Sequence, residues 1–150
     1  MRRAVILIVM ILSACAPLPH THKIAPRITG VVLLNGTPVP DVEVKLSPPA
    51  YDKTCQEAVA VTKTNANGQF AVGPITRFEW FVGLIGDRVY AWNLCVVRNG
   101  TLYSGFYKLD TGYMREEVVA LTCRIDASTK PYHSSLTGAE LERIQICRET

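Results

Sequence analysis

The sequence has no apolar stretch long enough to cross a bilayer near its start, where one would be sought first. The run at residues 4–12 has nine residues, whereas a spanning helix needs about 20. Charge of one sign is also scarce. Sixteen Lys and Arg oppose 13 Asp and Glu, and no run of like charge exceeds two or three residues. A nucleic-acid binder would carry a basic stripe, so that class is excluded. Histidines number three, and His20 and His22 fall in a proline-bearing segment, leaving His133 in the globular part. Two imidazoles there could hold copper or nickel weakly, but a mobile linker makes a poor site. None of the five cysteines belongs to a C-x-x-C pair, the spacing that zinc sites favour. No metal site and no cofactor are expected. Paired carboxylates are missing as well: Glu116 and Glu117 are adjacent, and neighbours in a strand point to opposite faces. Without a catalytic set, an enzyme is not expected.

What is present begins at the N-terminus. Met1-Arg2-Arg3 precedes the short apolar run, and Leu12-Ser13-Ala14-Cys15 ends it. A basic start, a brief hydrophobic stretch and small residues before a cut site make a secretory signal peptide. Leu12-Ser13-Ala14-Cys15 resembles the lipobox of bacterial lipoproteins. The resemblance implies that residues 1–14 are removed and that Cys15 becomes an acylated N-terminus anchored in a membrane. Each buried CH₂ contributes about 0.8 kcal/mol, and stable attachment takes more than one acyl chain. By the same resemblance, Ala16 rather than Asp after the cysteine implies the outer membrane, facing the periplasm. Without residues 1–14 the chain has 14 basic and 13 acidic residues, a net charge of +1.

The remaining four cysteines, Cys55, Cys95, Cys123 and Cys147, are even in number. In an exported protein that count predicts two disulfides, and spacing alone does not choose among three pairings. Residues 15–27 read as a lipidated N-terminus and tether, because Pro17, Pro19 and Pro26 prevent helix and favour extended chain.

From Ile28 the signals are strand and turn. Val42, Val44 and Leu46 alternate with Asp41, Glu43 and Lys45, the pattern of a half-buried antiparallel strand. Further strands are predicted at 28–34, 58–64, 69–72, 79–85, 88–97, 101–109 and 116–125. Asn35-Gly36, Asn67-Gly68, Asn99-Gly100 and Asp110-Thr111-Gly112 supply turn chemistry between them. Seven or eight short strands predict an all-β, antiparallel sandwich over residues 28–126. Its expected core includes Val32, Val42, Val44, Leu46, Val61, Phe70, Val119 and Leu121. Residues 127–150 form a C-terminal extension. Thr137 and Glu140 would cap a short helix there, with a strand at Ile144-Gln145-Ile146 as the alternative.

The first half carries a second resemblance. Gly30-Val31, Gly36-Thr37-Pro38-Val39-Pro40-Asp41-Val42-Glu43-Val44-Lys45-Leu46 and Thr62-Lys63-Thr64-Asn65-Ala66-Asn67-Gly68-Gln69-Phe70 resemble the carboxypeptidase regulatory-like domain. That family implies a transthyretin-like β-sandwich. Asn65 stands where the family has aspartate, and both side chains can bond a turn backbone. A transthyretin-like strand order implies an inter-sheet Cys95–Cys123 bridge, leaving Cys55 to Cys147.

Such a motif marks turns and core, not a site. Two function classes follow. The first is a membrane-anchored structural or interaction module of the cell envelope with a protein partner. The second is a glycan- or small-ligand-binding lipoprotein using aromatic residues: Trp80, Tyr90, Trp92, Tyr103 and Tyr107 cluster in the second half. Tyr90 and Trp92 would share one strand face, and Tyr103 and Tyr107 another. A contiguous outward patch would favour the second class.

Overall fold

The computed structural model describes residues 19–48, 55–80, 89–112, 114, 116–132 and 143–150. Among the described residues eleven strands run in chain order: β1 His20–Ala25, β2 Arg27–Leu34, β3 Thr37–Pro38, β4 Glu43–Ser47, β5 Ala60–Lys63, β6 Gln69–Val72, β7 Ile75–Glu79, β8 Val89–Arg98, β9 Thr101–Thr111, β10 Val118–Ile125 and β11 Cys147–Glu149. They build an all-β sandwich. One sheet has the order β11-β10-β2, with β3 and β6 both pairing the free side of β2, and the other has the order β5-β4-β8-β9. β1 and β7 form a separate two-stranded ribbon. Among the described residues all pairings are antiparallel except β2 with β10, which run parallel from Arg27–Val118 to Leu34–Ile125.

Alternation decides what each strand buries. Ile28, Val32, Phe70, Val72, Val119, Leu121, Cys123 and Ile125 face inward from the first sheet, against Val44, Leu46, Trp92, Leu94 and Val96 of the second. Fully burying one such aliphatic side chain contributes about 1.5–3 kcal/mol. Seven of the eight expected core residues are buried, but Val61 is 54% exposed. β5 is an edge strand, and its register sets Val61 opposite Lys45 on the outer face, while Thr62 faces Val44.

The turns follow their residues. Asn35-Gly36 and Asn99-Gly100 have positive φ at both positions, the tight hairpin geometry that matches strand twist. The Asn65 carboxamide oxygen accepts from the backbone N–H of Asn67 and Gln69, both at 2.9 Å. Asparagine therefore does the work that the motif's aspartate would do. Thr64 Oγ1 accepts from Val42 N–H and donates to the Val39 carbonyl, tying the start of β4 to the end of β5.

The proline-bearing segment differs from the expected tether. Pro19 and Pro26 only bracket β1, whose residues His20 to Ala25 pair with Ile75 to Glu79. Ala25 and Ile75 are buried, and Ile24 packs on the core. A strand at β7 precedes the expected 79–85 element, which lies mostly outside the described residues. The expected helix of the tail also falls largely outside them, as does His133. At the end of the chain, Ile146 N–H donates to the Ser104 carbonyl and its own carbonyl accepts from Arg124 N–H. β11 then pairs with β10, so the tail stitches the two sheets together along one edge.

Candidate functional site

Both pairs of cysteines are joined, but not as the transthyretin-like order implied. The bridges are Cys55–Cys95 and Cys123–Cys147. The reason lies in strand faces. Leu94 and Val96 point into the sandwich opposite Leu46 and Val44, so Cys95, opposite Lys45, points out of it. Cys123 alternates with Leu121 and Ile125 and points in. The two thiols therefore stand on opposite sides of a sheet, and Cys95 meets Cys55 on the outer face. Cys147 lies directly opposite Cys123 in the β10–β11 register.

The five aromatic residues singled out from the sequence do not form one surface. Trp92 is 2% exposed and stacks on Phe106 at 5.4 Å between ring centroids. Tyr103 packs against the core. Tyr103 and Tyr107 do not share a face, because the register slips between Leu94 and Cys95. Gly105 is the extra residue of this bulge, and a Cβ there would lie 2.5 Å from the Leu94 carbonyl oxygen. Tyr107, opposite Asn93, consequently sits on the outer face, while Tyr103, opposite Val96, faces in. Trp80 alone is well exposed, at 64%, and meets the exposed Phe78 edge to face at 5.2 Å.

Tyr90 and Trp92 do share a face, as expected, and they line a cleft. With Lys108, Asp110, Thr111, Gly112, Met114 and Glu116 they enclose a volume of about 400 Å³, within the range of small-ligand sites. The polar end of the cleft is already occupied by its own charges. Lys108 Nζ is hydrogen-bonded to Glu116 and lies 3.7 Å from Glu149. Burial disfavours the ammonium, but the Glu116 hydrogen bond and the charges of Glu116, Glu149 and Asp110 outweigh it and raise the Lys108 pKa. A raised folded-state pKa gives stability that is present below the ordinary lysine value and lost as pH rises through the folded one. Lys108→Met should therefore cost about 1 kcal/mol at neutral pH. Urea melts of the two proteins should converge at pH values above the lysine range.

Elsewhere, β1 and β7 bring three metal-capable side chains to one face of the ribbon. His20 and His22 are two residues apart, and Glu79 lies opposite His20. His22 Nε2 is 3.7 Å from Glu79 Oε1, and the His20 and His22 rings are 5.6 Å apart. In the sequence the two histidines read as linker residues, because Glu79, the residue paired with His20, lies 59 positions away. No protein-family model matches the chain, and no curated protein sequence matches it.

Proposed function

We propose that this chain is an acylated lipoprotein of the bacterial cell envelope whose β-domain is a non-enzymatic interaction module. The observation that carries the reading is Leu12-Ser13-Ala14-Cys15 after a basic start and a short apolar run. Two disulfides in a small β-domain support export to an oxidising compartment. Four residues separate Cys15 from His20, the first residue of β1, so at most about 18 Å of extended chain joins the acyl anchor to the ribbon. The domain then rests on the bilayer rather than standing away from it. Thr21 pairs with Phe78, so the exposed Phe78 and Trp80 lie at the anchored end of the ribbon. Aromatic side chains are at home at that depth. The carboxypeptidase regulatory-like resemblance fits a module that presents loops and edges to a protein partner, and the dispersal of the five aromatics favours this over glycan stacking.

A second reading, a small-ligand lipoprotein, is supported by the cleft of Tyr90, Trp92 and Lys108. Titration with soluble peptidoglycan fragments, followed by the Tyr90 ring resonances, separates the two: saturable shifts favour the ligand reading. The main reading is tested by fractionating the envelope on a sucrose gradient. The protein should band with the outer membrane and resist extraction by alkaline carbonate. Recovery as a soluble periplasmic protein would overturn it, and recovery wholly in inner membrane would overturn the outer-membrane assignment.

A further inference from the structure

We infer that His20, His22 and Glu79 form a binding site for a borderline-soft divalent transition metal, with zinc as the fitting ion. Strand geometry supplies the first part of the argument. Residues i and i+2 of a strand project from one face, so the two imidazoles stand side by side. Directly opposite residues of an antiparallel pair share a face, and Glu79 is the partner of His20. Its carboxylate is thereby brought to the same side, diagonal to His22. One donor atom from each of the three residues can be chosen so that all lie within 4.8 Å of one another.

The donor chemistry narrows the ion. Two imidazole nitrogens and one carboxylate oxygen suit zinc, at about 2.0–2.2 Å from each ligand. At those lengths, tetrahedral ligands stand roughly 3.4 Å apart, close to the His22–Glu79 separation of 3.7 Å. Small side-chain rotations complete the set. Calcium and magnesium prefer all-oxygen sites and are disfavoured here. Three protein ligands leave a fourth position open to water or to a donor from another molecule. All three residues are half-buried, so the site is reachable from solvent yet partly dry. Arg77, opposite His22, brings a positive charge to this face, but it is exposed and free to extend into solvent. Cys55, Cys95, Cys123 and Cys147, held in disulfides, do not compete.

The consequence is mechanical as well as chemical. A bound ion would clamp β1 to β7 at the end of the ribbon nearest the chain's N-terminal segment. This inference rests on the ribbon alone and does not depend on acylation of Cys15.

The test uses the full chain, purified without a histidine tag and titrated with Zn²⁺ by calorimetry. One equivalent should bind, and the His20 and His22 Hε1 resonances should shift while that of His133 does not. His22→Gln and Glu79→Gln should each weaken binding by at least about tenfold, since even outer-shell partners of a metal matter on that scale. Both variants should melt at the wild-type temperature without metal, and Zn²⁺ should raise the melting temperature of the wild type more than that of either variant. Equal Zn²⁺ affinity in wild type and a His20→Gln/His22→Gln variant would overturn the proposal. So would shifts centred on His133.

Discussion

Replacing Trp92 by alanine is expected to lower the unfolding free energy by about 3–5 kcal/mol, the range for removing a buried tryptophan. The indole is 2% exposed and stacked on Phe106, on the same strand face as Leu94-aligned core residues of the second sheet. Its removal leaves a cavity beside β8, which is hydrogen-bonded to β9 along its whole length and to β4 from Asn93 to Val97, so that wall has little freedom to collapse. Trp80→Ala is the natural contrast. Trp80 is 64% exposed, and a surface substitution of that kind changes stability by no more than about 0.5 kcal/mol. Chemical denaturation of the two variants measures the difference. Similar losses for both would mean that Trp92 is not a core residue, and would reopen a ligand-binding role for it.

The second large effect concerns the disulfides. Cys123→Ala/Cys147→Ala should cost about 3–4 kcal/mol in the chain-entropy account, given a closed loop of 24 residues. For Cys55→Ala/Cys95→Ala, with a separation of 40, the same account gives a similar loss. Either is a large share of the roughly 5–15 kcal/mol that holds a typical domain folded. Their structural consequences should differ. The Cys123–Cys147 bridge is inside the core and fastens the tail that joins the sheets, so its loss should expose backbone amides of β10 and β11 to hydrogen exchange. The Cys55–Cys95 bridge covers the outer face of the second sheet, and its loss should leave the β10–β11 amides protected. Peptide mapping without reduction checks the connectivity, and a Cys95–Cys123 peptide would contradict it.

Much of the sandwich was legible in the sequence because period-two alternation and Asn-Gly turns are local signals. Val42, Val44 and Leu46 declared their inward face without reference to any other strand, and Asn65 to Gly68 declared a turn. What was not legible depended on partners distant in sequence or on a single inserted residue. Val61 looks like a core residue until β4 fixes its register and turns it outward. Tyr103 and Tyr107 share a face only in a regular strand, and Gly105 breaks that regularity. The segment His20-Thr21-His22-Lys23 carries little hydrophobic signal, so only its pairing with β7 reveals it as a strand. The cysteine pairing was partly visible. Cys95 falls out of phase with Trp92 and Leu94 in the sequence, and that phase turns it away from Cys123.

The proposed anchor decides more of the functional reading than any other feature, because acylation of Cys15 would fix compartment, orientation and the closeness of the β1–β7 ribbon to the bilayer. Mass spectrometry of the N-terminal peptide from native protein extracted from membranes tests it most directly. The expected chain begins at Cys15, with a diacylglycerol thioether on its sulfur and an acylated amine. An unmodified N-terminus at any other residue would contradict it.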